Sequence, residues 1–176
     1  MTDKILGRLG VAEGKGVVRV EDRYDTDVDD LWAAVTDPER LARWYGKVEG
    51  DLRPGGAFTV YLESADLEAI CRVDTCEPPR RVRITSRESD ESAQHGTGPA
   101  PFDQTIEATL TPDGPQTILA IEVRGLPLDK LEYYGAGWQV HAENLAAHVT
   151  HRDPADLESR WSTLIPAYQE QAAALR

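Results

Sequence analysis

The chain has 176 residues, a length that suits one domain burying roughly 70% of its unfolded surface. Its 31 acidic residues outnumber 19 basic ones, and the net charge of −12 argues against nucleic acid or an anionic membrane as partner. No run approaches transmembrane length and residues 1–16 lack the apolar core of a signal peptide, so a cytoplasmic location is expected.

Residues 1–15 are Gly-rich without clear periodicity and read as a flexible N-terminal arm. Val18, Val20, Asp22 and Tyr24 start a first strand. Thr26 or Asp27 then caps a short helix with Asp29 and Asp30 in its first turn and Val28, Leu31, Trp32 and Val35 on one stripe. Asp37 and Pro38 start a second short helix, whose inner face is Leu41, Trp44 and Tyr45. Strands follow over 47–53 and 57–63, parted by Pro54-Gly55-Gly56, with Phe58, Val60 and Leu62 alternating against Thr59, Tyr61 and Glu63. Further strands lie near 67–75 and 80–88, parted by Pro78-Pro79. In extended chain Cys71 and Cys76 would face opposite sides as reduced thiols.

Residues 89–103 read as an insertion, either a lid or a disordered loop. Ile106, Ala108 and Leu110, then Leu119, Ile121 and Val123, alternate on either side of the turn Pro112-Asp113-Gly114-Pro115. A long helix starts near Leu128, with Leu131, Tyr134, Trp138, His141 or Ala142, Leu145 and Val149 as its inner stripe. The tail starts a helix at Asp153-Pro154 and carries Leu157, Trp161, Leu164, Tyr168, Ala172 and Leu175 at helical spacing; Pro166 should kink or split it. That stripe must dock on its own body or, as second choice, on another copy to give a homodimer.

Connections this short mean an antiparallel meander, giving an α+β fold. The block Thr36-Asp37-Pro38-Glu39, Trp44-Tyr45, Glu49, Asp51, Pro54 to Phe58, and Gly137-Trp138 with Asn144 to His148 resembles the START-like helix-grip (SRPBCC) superfamily, most closely the branch of the activator of Hsp90 ATPase. The resemblance covers roughly residues 16–150 and leaves 151–176 as a C-terminal helical extension. It implies a curled seven-stranded sheet gripping the long helix, two short helices between the first two strands, and a ligand cavity between helix and sheet. Members bind or transform many different things.

The residues themselves carry little chemistry. Nucleophile elbow, phosphate loop, Cys-x-x-Cys pair and dinucleotide fingerprint are all missing, so no cofactor is expected. His148, His151 and Asp153 have ligand-like spacing but straddle a helix end and read as solvated residues rather than a metal site. Glu49 and Asp51 read as turn-adjacent surface residues, paired to Arg53. The expected ligand-binding residues are Trp44, Phe58, Tyr61, Tyr134, Trp138, His141 and Leu145, with His141 a satisfied or ligand-contacting histidine rather than a catalytic base. The leading reading is a non-catalytic binder of a small apolar, aromatic or lipid-like molecule. A chaperone-regulating interaction module is the alternative, and a cyclase- or hydrolase-like enzyme the third.

Overall fold

The computed structural model describes residues 4–62, 67–88 and 102–176. Most of the insertion over 89–103, read as either a lid or a disordered loop, lies outside them. The strands are β1 (Gly7–Ala12), β2 (Lys15–Tyr24), β3 (Lys47–Gly50), β4 (Ala57–Leu62), β5 (Leu67–Glu77), β6 (Arg81–Glu88), β7 (Asp103–Asp113) and β8 (Gln116–Leu126). They form one antiparallel sheet in the order β1-β2-β8-β7-β6-β5-β4-β3, a meander from β3 to β8 whose last strand docks on β2. Helices α1 (Val28–Thr36) and α2 (Pro38–Trp44) join β2 to β3; α3 (Leu131–Val149) follows a 3-10 turn at Leu128–Lys130; α4 (Leu157–Ala173) ends the chain. Asp27 and Asp37 cap α1 and α2 as their sequence implies, accepting from the Asp30 and Glu39 amides at 2.8 and 2.9 Å.

Four expectations need correction. The sheet has eight strands, because part of the supposed arm is strand β1, paired with β2 from Gly7↔Val20 to Ala12↔Lys15. Two glycines in GRLGVA hide its alternation. The strand expected over 47–53 stops at Gly50, where φ is +134° and a Cβ would lie 2.6 Å from the Phe58 Cα; Asp51 then turns the chain by accepting from Arg53, as the surface pairing predicted. The tail helix starts at the Asp156 cap, beyond Asp153-Pro154, and runs through Pro166 without a break. Finally, Cys71 and Cys76 do not face opposite sides. The β5–β6 register passes from Val73↔Ile84 to Thr75↔Arg83, so Asp74 is a bulge, held by Arg72 (3.0 Å) and Thr85 (2.6 Å), and the extra residue returns Cys76 to the inner face.

Helix α3 is buried on two sides. Its inner face packs on β2 and β8 through Trp138, Ala142, Leu145 and Val149. Its outer face takes α4: Ala136 and Val140 meet Leu164 and Tyr168, with Leu9 of β1 beside them. Gly135 permits this approach, since a Cβ there would stand 2.7 Å from the Tyr168 ring. The apolar stripe of the tail thus lies against its own body.

A polar seam locks the same layer. The Tyr168 hydroxyl donates to Gln139 Oε1 and accepts from the Gly7 amide at 2.9 Å, while Gln139 Oε1 also accepts from the Leu6 amide. Gln171 takes the Leu9 amide and donates to the Gly7 carbonyl, at 2.9 and 3.0 Å. Side chains of α3 and α4 therefore satisfy the first part of the outer edge of β1, at Gly7 and Leu9, which would otherwise be an open template for strand pairing. Replacing Tyr168 (0% exposed) by Ala is expected to destabilise the protein by about 3–5 kcal/mol, as for aromatic truncations in cores. Hydrogen exchange should show the β1 amides of Gly7 and Leu9 deprotected first; unchanged protection there would mean that β1 holds without α4.

Candidate functional site

The two sides of the sheet are covered differently. Helix α3 lies over β1 and β2, α1 over β7 and β8, and α2 against β3. One apolar cluster joins α3 and α1 to β2, β7 and β8; a second joins Val48, Phe58, Val60, Ala69, Cys71 and Val73 on β3 to β5. Between them is a pocket of about 290 Å³. Its aromatic walls are Trp32, Trp44, Tyr45, Phe58 and Trp138. Aliphatic residues from α1, α2 and strands β3 to β8 supply most of the rest, among them Val35, Leu41, Val60, Val73, Ile84 and Ile121. Thr36 and Cys76 are the remaining polar side chains, and among the described residues no charged one lines it.

Three of the seven residues expected in the site meet at this pocket: Trp44, Phe58 and Trp138. Tyr61 does not. Phe58 and Val60 face inward, so the two-residue period of β4 puts Tyr61 on the outer face at 38% exposure. Leu145 is fully buried in the core beside α1, away from the lining. Tyr134 packs edge-on against Phe102 at 5.9 Å, also off the lining. His141 stands behind the pocket wall, against Tyr45 at 4.9 Å and Trp138 at 5.6 Å between ring centres. Trp32 and Tyr45 were legible as inner residues of their short helices, yet only the folded chain shows that their rings reach this pocket. Cys76 enters it through the bulge, for which the sequence carries no signal.

The short helices are held by specific bonds. The Trp44 indole donates to the Ala34 carbonyl at 2.8 Å, tying α2 to α1. Arg40 donates to the Asp30 carboxylate (2.7 Å) and carbonyl (3.1 Å) on α1, and to His148 Nε2 (3.1 Å) on α3. That bond occupies one imidazole nitrogen of the expected-solvated His148, and His151 sits just past the helix at φ +55°. Burial raises the pKa of both thiols and drives that of the Tyr45 phenol far up, so all three stay protonated.

His141 is pushed down to about 4 by burial, against a hydrogen bond to the Trp44 backbone that favours its charged form; its Nδ1 is buried without a partner. Folding therefore favours neutral His141. Above the ordinary value of 6.5 neither state binds the proton and stability is flat. Below it the unfolded chain takes up a proton that the folded chain refuses, so stability falls until about pH 4, by up to about 3 kcal/mol. Urea unfolding at pH 7 and 4.5 should show that His141→Gln removes this part of the slope. An identical slope in both proteins would mean that His141 is not held neutral.

The sequence and the fold agree with known proteins. The family model described as activator of Hsp90 ATPase homolog 1-like protein matches residues 25–150, while no curated protein matches the chain. CalU16 from Micromonospora echinospora is similar over 94% of this chain and 95% of its own, at 25% identity and a TM-score of 0.74. DynU16, from the dynemicin biosynthetic locus, is 27% identical over 78% of this chain and 48% of its own, with a TM-score of 0.66. Protein MLL2253 from Mesorhizobium loti is 25% identical over 78% of this chain and 98% of its own, with a TM-score of 0.65. The helix-grip architecture, the motifs from Thr36 to Phe58 and the match over residues 25–150 place the chain in the activator of Hsp90 ATPase homolog 1-like family.

Proposed function

We propose that the protein binds a small, uncharged, largely aromatic molecule in the pocket between α2, Trp138 and strands β3 to β8, without transforming it. The observation that carries this reading is an uncharged lining with five aromatic rings around about 290 Å³. Left to water, apolar walls like these forgo roughly 25 cal/mol for each Å² that an apolar ligand would cover. Water would be a poor filling. The volume corresponds to about ten molecules at about 30 Å³ each, and each typically needs about three hydrogen bonds that few lining groups supply. An apolar ligand removes both costs.

Catalysis finds little support in the lining. Among the described residues it holds no histidine, carboxylate or amine, and the phenol and thiol that it does hold are kept protonated. His141, read from the sequence as a satisfied or ligand-contacting histidine rather than a base, lies behind the wall with its pKa depressed. The interaction-module reading drew on the aromatic tail, whose Leu164 and Tyr168 pack on α3 and whose Trp161 stacks on Tyr133 at 5.7 Å. The likeness to DynU16 is compatible with a small-molecule ligand.

The test uses N-phenyl-1-naphthylamine as a neutral probe. Three tryptophans line the pocket, so binding should quench their emission, with a dissociation constant in the micromolar range. Ala108→Trp, which fills the pocket from β7, should weaken binding by more than about tenfold, the equivalent of about 1.4 kcal/mol. Absence of binding, or equal binding by the variant, would refute the assignment of this pocket.

A further inference from the structure

One polar side chain of this apolar lining, Tyr45, has no hydrogen-bond partner among the described residues. Tyr45 follows the last turn of α2, and its ring is fixed on three sides: Trp44 at 5.5 Å, Trp138 nearly parallel at 5.8 Å, and His141 edge-on at 4.9 Å. Among the described residues its hydroxyl makes no hydrogen bond, while burial drives its pKa far up. Other polar groups of the lining are committed or weak. The Thr36 hydroxyl donates to the Trp32 carbonyl at 2.7 Å and the Trp44 indole to the Ala34 carbonyl at 2.8 Å, while the Cys76 thiol is a weak donor. A hydroxyl withdrawn from water without a partner is a standing cost that a ligand can remove.

The geometry points to a ligand that presents a carbonyl oxygen to the Tyr45 hydroxyl while its flat body lies against the rings of Trp138 and Phe58. This inference rests on the ligand-binding reading and deepens it to a class: aryl ketones and quinones, in preference to phenols and hydrocarbons. The donor role of Tyr45 follows from two things. Its phenol stays protonated, and a phenol oxygen shares its lone pairs with the ring, making it a better donor than acceptor. Tyr45 thus acts as the specificity-determining residue, and the surrounding rings supply affinity without discrimination.

The experiment compares 2-acetylnaphthalene with 2-isopropylnaphthalene, nearly the same shape without the oxygen, on the wild type and on Tyr45→Phe. The variant removes a single unpaired oxygen, and its unfolding temperature is checked first. The expected result is that Tyr45→Phe weakens the ketone about fivefold to tenfold, the value of one neutral hydrogen bond, and leaves the hydrocarbon within about twofold. The carbonyl stretch of the bound ketone should lie lower in the wild type than in the variant. If both probes bind and the variant alters them alike, or alters neither, Tyr45 is not the anchor although the pocket is a ligand site. Tighter binding of 2-naphthol than of the ketone would overturn the donor assignment. If neither naphthalene binds the wild type, the pocket reading itself falls and takes this inference with it.

Discussion

A wide sheet with one apolar face has to be covered, and a single helix is too narrow to do it. Eight strands about 4.8 Å apart span about 34 Å, whereas a helix with its side chains is about 10–12 Å across. Helix α3 therefore covers only the β1–β2 side. The helices α1 and α2, of nine and seven residues, cover part of what remains, and their own bulk rests on β7, β8 and β3. The inward residues of β4 to β6, Phe58, Val60, Val73 and Ile84, are left facing space rather than a further helix. On this account the pocket is the geometric remainder of the cover. Its apolar character follows from the same alternation that makes the sheet fold.

What fixes the size of that remainder is a small set of bonds between helices. Trp44 to Ala34 sets α2 on α1, and Arg40 joins α1, α2 and α3 at one guanidinium. His141 backs Tyr45 and Trp138 from behind. On the opposite side of α3, Tyr168, Gln139 and Gln171 knit the tail to β1. The helix that carries Trp138 into the pocket is thus clamped from outside by segments beyond the family match, so loosening the tail would be felt at the pocket wall. A polar seam suits this task because it fixes register, whereas the small residues Gly135 and Ala136 would let α4 slide.

The period-two and period-3.6 patterns were enough to read the meander, the two short helices and the long one, because each carries a periodic apolar face and the two short helices start at aspartate caps with local partners. Patterns fail where one residue changes phase. The bulge at Asp74 moves Cys76 to the inner face, and β1 was hidden by its two glycines, of which Gly7 is required by the close approach of Tyr168. Other misses lay within reach of the pattern. Phe58 and Tyr61 are three apart on one strand and cannot share a face, so counting both as pocket residues ignored the pleat. Leu145 and Tyr134 do belong to the inner side of α3, but a stripe nineteen residues long passes beyond any pocket, and only Trp138 stands where the sheet is uncovered.

The surface and the pocket obey opposite rules. A net charge of −12 keeps the outside hydrated, while none of that charge reaches the described lining. Desolvation enforces the separation: the groups that could ionise near the pocket, Tyr45, Cys71, Cys76 and His141, are each shifted toward the neutral form. A pocket held neutral in this way cannot readily donate or take a proton, and it offers a bound molecule contact and exclusion of water but no acid–base pair. A helix-grip domain therefore specifies its architecture through many residues and leaves the character of its pocket to few, and here the described lining positions carry uncharged, mostly apolar side chains.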